Sequence, residues 1–242
     1  VSLLLQGIVA SLLAGLATGL GGLPVLLGKQ VSHRAFDTAI GFAAGVMLAL
    51  SGGSLLVEMD PAAPSTVVAA AVGGTAVLLL RVASTSGPAA RRRSLERGVR
   101  IALVVAVHNV VEGLAVVATF GDLGSSVGTG MAIAIAVHNV PEGLAVAEPL
   151  RRAGLGPGRC ALLALASGMG EPAGALLGVG TLLGTGAVLP AGVAAAGAAG
   201  AMIVLAATEL LPEAFSHSFV AEASVGLLVG VLVALALVAG SG

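Results

Sequence analysis

His108-Asn109-Val110-Val111-Glu112-Gly113-Leu114-Ala115-Val116 returns thirty residues later as His138-Asn139-Val140-Pro141-Glu142-Gly143-Leu144-Ala145-Val146, with one substitution in nine positions. Each copy lies in the middle of an apolar run long enough to cross a bilayer core, which takes about 20 residues as a helix. Consecutive helices joined by a short loop run antiparallel. The two copies are therefore expected to face each other at mid-depth, related by an axis in the membrane plane. Inverted elements that meet at the midplane are a transporter signature.

Outward from the repeat, the rest of the 242 residues has the same character. Hydrophobic residues make up 57% of the chain and charged ones only 10%, against about a quarter charged in a soluble domain. The pattern predicts an all-α integral membrane protein, one transmembrane domain over residues 1–242. Its eight spans run roughly over 2–27, 35–57, 65–83, 98–120, 127–148, 159–183, 188–212 and 219–240. Turn-forming residues punctuate the breaks, for example Asp60-Pro61, Gly121-Asp122 and Gly154 to Gly158. No basic residue precedes the first apolar run, so a spanning helix is expected there and not a cleavable signal peptide. The net charge of −1 gives no reason to expect a nucleic-acid partner. The single Cys160 rules out thiolate-rich metal cages.

Basic residues orient the bundle. Lys29 and Arg34 flank the connection between spans one and two. Arg81, Arg91, Arg92, Arg93, Arg97 and Arg100 flank that between three and four, and Arg151, Arg152 and Arg159 that between five and six. The opposite connections carry only Glu58, Asp60 and Asp122. Both termini are accordingly expected outside the cytoplasm, in a cytoplasmic (inner) membrane. Glycines four residues apart (Gly15/Gly19, Gly41/Gly45, Gly170/Gly174/Gly178, Gly180/Gly184, Gly226/Gly230) are expected to let helices pack closely.

The repeat carries charge where charge is expensive. One charged side chain at a span's centre costs roughly 2.5–3.5 kcal/mol on insertion scales. Glu112, Glu142, Glu171 and Glu209 together approach about 10 kcal/mol on that scale, comparable to a domain's whole stability. No Lys or Arg lies at the same depth. Either the carboxylates are protonated, or a cation or a water-filled path compensates them. On a helical wheel with His at zero, the Glu four residues on falls at about 40° and the Asn at about 100°. The carboxylate can thus serve one ion on its His side and another on its Asn side. Imidazole nitrogen with carboxylate oxygen suits zinc, Cd²⁺, Fe²⁺, Mn²⁺ or Co²⁺; calcium and magnesium prefer oxygen alone. Pro141 and Pro172 remove backbone donors beside the polar residues, and a kink is expected in span five beside His138.

At these residues the sequence resembles the ZIP (Zrt/Irt-like protein) family of divalent metal transporters. The carriers of the resemblance are His108 to Gly113, His138 to Gly143, and Ser167-Gly168-Met169-Gly170-Glu171-Pro172 on span six. It implies a first metal subsite of His108, Glu112, His138 and Glu142, with Met47 as an accessory contact. A second subsite would use Asn109, Asn139 and Glu171 and share the two motif glutamates, so that one or two ions are held per chain. The resemblance further implies an elevator-type carrier in which spans one, four, five and six slide against the rest, moving metal toward the cytoplasm, and a homodimer. Three departures stand out: Val111 replaces the proline usual in the fourth-span motif, Thr208 precedes Glu209 where the family often has histidine, and the loop between spans three and four lacks histidines.

Ser51, Ser54, Glu209 and Asp60 are candidates for the transport pathway. His33 and His217 read as solvated, and Cys160 as inert. An intramembrane metal-dependent hydrolase is the rival from another class. It would carry a zinc site with a catalytic acid such as H-E-x-x-H, and no such motif occurs. A proton-coupled carrier of an organic solute would need a residue for the solute's own charge, and none is evident. A carrier, not an enzyme, is expected.

Overall fold

The computed structural model describes residues 2–29, 31–55, 63–83, 90–185 and 191–239. Within them the chain is helical throughout, without a strand, because a backbone in lipid has to satisfy its polar groups within its own segment. The elements are α1 (Ser2–Gly21), α2 (Leu23–Leu26), α3 (His33–Ala49), α4 (Pro64–Ala83), α5 (Ala90–Leu123), α6 (Ser125–Arg152), α7 (Pro157–Gly168), α8 (Gly170–Thr185), α9 (Ala191–Leu205), α10 (Leu211–Ala214) and α11 (Val220–Ala239). π-helical turns extend α3 over Leu50–Leu55 and join α9 to α10 over Ala206–Leu210. Seven segments are long and apolar enough to cross a membrane by length and composition; the eighth apolar stretch, Pro64–Leu79, is shorter. Leucines and valines such as Leu13, Leu20, Val72, Leu183 and Leu228 are exposed on the outside, the surface a bilayer would cover.

Local chemistry sets the ends. Ser32 caps α3 by accepting the Ala35 N–H at 3.2 Å. Pro157 opens α7 in the first turn, where its missing donor costs nothing. Gly124, at φ 89°, is the single residue between α5 and α6, a conformation that suits glycine. The expected span six is two helices, broken at Met169, two residues before Glu171. α6 continues as one helix across Pro141 and Pro149. α5 has 34 residues and so runs about 51 Å, well beyond a hydrocarbon core of about 30 Å; its first turns carry the Arg91–Arg93 cluster.

Glycine contacts divide the helices into blocks. A Cβ on Gly15 would overlap the Gly168 carbonyl, on Gly143 the Thr18 carbonyl, on Gly170 the Ala106 carbonyl and on Gly174 the Val110 carbonyl. These contacts lock α1 to α6 and α7, and α8 to α5, backbone to backbone; a Cβ on Gly7 would stand 3.1 Å from Val117 Cα, and Asn109 bonds the Ser167 carbonyl, so that the two groups join as one block. Gly41 and Gly45 meet the Ala223 and Leu227 carbonyls, and Gly226 and Gly230 meet those of Thr38 and Phe42, locking α3 to α11. Gly73 on Gly197 and Gly200 on Ala70 do the same for α4 and α9. Among the described glycines none packs this way between blocks. There the seams, chiefly α5 against α9 and α6 against α3, are filled by side chains such as Met47, Val105, Ala147 and Ala198 of the main apolar core.

Candidate metal centre

Gly124 places the two motif copies opposite each other. His108 lies sixteen residues before it and His138 fourteen after it, about 24 and 21 Å along their helices, so both reach nearly the same depth. Four side chains then converge, each without solvent exposure: His108, Glu112, His138 and Glu142. Glu112 Oε1 stands 3.1 Å from His108 Nε2 and 3.2 Å from His138 Nε2. Glu142 Oε1 stands farther off, 3.8 and 4.0 Å from the same two nitrogens. The imidazole centroids are 6.5 Å apart with the rings tilted by 53°. His108, His138 and Glu142 each bring one donor atom within 4.8 Å of the others, a grouping that could hold a metal ion.

Second contacts set the donors' directions. His138 Nδ1 lies 3.2 Å from the Ala134 carbonyl, which can only accept. A proton on Nδ1 satisfies that contact and leaves Nε2, the nitrogen turned to the cluster, as the one that could ligate a cation. The Asn109 amide donates to the Ser167 carbonyl at 3.1 Å. Asn139 donates to the Ala14 carbonyl at 3.0 Å and to Glu171 Oε1. With the two amide NH₂ groups so engaged, both Oδ1 atoms are left without a hydrogen-bond partner among the described residues, as are Glu142 Oε1 and Oε2, Glu112 Oε2 and Glu171 Oε2. So many unsatisfied buried acceptors are costly unless a cation or water completes them.

The motif glycines, which sequence spacing leaves unexplained, have a packing role. A Cβ on Gly113 would overlap the Glu171 carbonyl, so this glycine lets the start of α8 bring Glu171 up to the cluster. Gly143 admits the Thr18 carbonyl of α1, one turn from the Ala14 carbonyl that Asn139 uses.

The seven polar residues of the two proposed subsites thus come together. Met47 is fully buried within the main apolar core on α3. Ser51 is buried and donates back to the Met47 carbonyl at 2.6 Å, which commits its proton to its own helix. Ser54 falls in the π-helical turn after α3, with its side chain outside the described set, and Asp60 lies outside the described residues. Glu209 is buried in the second π-helical turn. His33, expected to be solvated, is exposed, and His217 is partly so, yet both also make contacts. His217 bonds the fully buried Asp37 at 2.8 Å, and its ring lies 4.1 Å from that of His33. Asp37 is four residues after His33 on α3, a spacing visible in the sequence; the return of His217 from the far end of the chain is not.

A polytopic helical membrane protein with an inward-facing cluster of imidazoles and carboxylates is the class that fold and site define. The chain belongs to the ZIP zinc transporter family, whose family model matches residues 83–238. It is 37% identical to the zinc transporter GufA of Myxococcus xanthus, over 96% of this chain and 97% of that one. It is also 37% identical to the zinc transporter ZIPB of Bordetella bronchiseptica, over 88% and 74% respectively. Identity to the zinc transporter ZupT of Corynebacterium glutamicum is again 37%, over 92% and 94%.

Proposed function

We propose that this protein moves divalent metal cations, zinc foremost and with Cd²⁺, Fe²⁺, Mn²⁺ or Co²⁺ as further cargo, across the cytoplasmic membrane toward the cytoplasm. The observation that carries this is the convergence of two imidazoles and two carboxylates, all fully buried, from two copies of one motif. Their donor set fits a borderline dication. Two ionised glutamates and one dication sum to zero, so a loaded site is far cheaper to keep in a low-dielectric surround than an empty charged one. The names of the relatives favour zinc.

In this reading His108, Glu112, His138 and Glu142 hold the first ion, with Met47 as an accessory contact. Asn109, Asn139 and Glu171 serve a second position that shares the glutamates. Hydrogen bonds that pin each asparagine NH₂ support it, because they leave Oδ1 as the end of the amide without a partner among the described residues. Ser51, Ser54, Glu209 and Asp60 line the route. The chain forms one domain of eight spans with both termini outside. The meeting of Arg152 with His33 and of Arg34 with Glu222 at one end of the bundle supports that polarity. Alternating access follows from sliding of the block α1, α5, α6, α7 and α8 against the rest. The support is that backbone interlocks hold each block together while side-chain seams separate them. The homodimer rests on the family resemblance alone, and the function is transport, not catalysis.

The test is uptake of radiolabelled zinc into proteoliposomes by wild type and by a His108→Ala, His138→Ala double variant. Uptake lost in the variant supports the assignment. Undiminished uptake would mean that the ion travels elsewhere.

A further inference from the structure

We propose that Arg152 is a cytoplasmic latch: clamped against His33 and Phe36, it joins the ends of α6 and α3 and has to release for each transport cycle. The inference rests on the transport reading above and adds a residue that controls its rate.

Asn109 and Asn139 make their hydrogen bonds inside the first block; the Arg34–Glu222 pair lies inside the second, and the His217–Asp37 pair ties α3 to the connection that leads into α11. Arg152 reaches across. As the last residue of α6, it is held on its own helix by buried Glu148, whose carboxylate accepts from Nε at 2.9 Å. Its Nη1 meets His33 Nδ1 at 2.8 Å, and the guanidinium carbon lies 5.4 Å from the centre of the Phe36 ring. Phe36 is buried, and His33 is backed by His217, itself fixed by Asp37. The α3 side of the contact is thus a preassembled aromatic seat, and the α6 side is one cation on a paired stem. A guanidinium over an aromatic face is attracted by the ring quadrupole.

The location gives the contact its consequence. Arg152 follows Glu142 by ten residues on the same helix, about 15 Å, and α6 is continuous between them. Any displacement of the cluster along the membrane normal therefore moves Arg152 by a similar amount. The α6–α3 seam has no glycine-carbonyl interlock among the described residues, so a block movement shears it and has to break the Arg152 contact. A side chain with a third of its surface exposed can part from its seat and rehydrate, as a reversible closure requires.

The experiment links the two sides. In a Cys160→Ser background, His33→Cys and Arg152→Cys are combined, and the thiols are joined by oxidation in proteoliposomes. Zinc uptake is expected to fall roughly tenfold or more on cross-linking and to return on reduction, while zinc binding in detergent is unchanged. Fully cross-linked protein that takes up zinc as fast as the uncross-linked dithiol form would overturn the latch, and so would failure of the pair to cross-link. Arg152→Gln, which introduces no thiol, is expected to keep the zinc affinity and to raise turnover roughly threefold; unchanged turnover counts against the latch. If wild type itself takes up no zinc, the transport reading fails and the latch with it.

Discussion

The copy of the motif on α5 and the copy on α6 share eight of nine residues yet are held by different neighbours. On α6, His138 is oriented by the Ala134 carbonyl and Asn139 by two acceptors on α1 and α8. On α5, His108 Nδ1 has no hydrogen-bond partner among the described residues, and Asn109 has a single anchor on α7. The glutamates invert the contrast: Glu112 of the looser copy touches both imidazoles, while Glu142 of the tighter one stands back. Equal sequences therefore yield unequal donors, one copy rigid at its histidine and the other engaged at its carboxylate. A site that has to both capture and release an ion gains from that division.

The largest effect expected is from removing either carboxylate. In the proposed site Glu142→Ala and Glu112→Ala would each remove half of the charge that balances the cation, and zinc uptake should fall more than about a hundredfold with membrane insertion retained. Wild-type flux in the Glu142 variant would break the pairing of the copies. Gly113→Val drives a side chain into the Glu171 carbonyl and should cost about 3 kcal/mol or more of stability. Thermal unfolding in detergent reads it, and an unshifted midpoint would contradict the contact.

pH comes next. Metal binding needs neutral imidazoles, and an ordinary histidine titrates near about 6.5. Affinity is therefore intact above that value and should fall by roughly tenfold or more per pH unit below about pH 6. Titration calorimetry that finds a constant affinity between pH 5 and 8 would remove histidine from the ligand set. Asn139→Ala frees two acceptors and should weaken zinc binding about tenfold, against only about threefold for Asn109→Ala; equal losses would erase the asymmetry. The smallest effect is from Pro141→Val, which makes the copies identical. Because α6 is already unbroken there, uptake should stay within about threefold, and a large change would assign the proline a moving part.

Much of this is legible in the sequence. The repeat and its antiparallel pairing follow from local spacing, and the pairing emerges as expected around Gly124. The glycine pairs were readable as packing sites but not as to partner. Gly41/Gly45 and Gly226/Gly230 find each other's helices, whereas Gly180 and Gly184 have nothing within 4 Å. Partners are set by tertiary arrangement, which a spacing of four does not encode. The same holds for Asn139 reaching Ala14, 125 residues away, and for His217 reaching Asp37, 180 residues away. The break at Met169 was foreseeable from Pro172, which cannot donate to the Gly168 carbonyl, and α7 ends at Gly168; the close approach of Gly168 to Gly15 was not.

X-ray absorption at the zinc K edge of the purified, zinc-loaded protein tests most directly whether the two copies form one site. Two imidazoles on the same ion are predicted, one each from His108 and His138, with carboxylate oxygen completing the shell, and one imidazole after His108→Ala. A wild-type spectrum with a single imidazole, or none, would contradict the shared site.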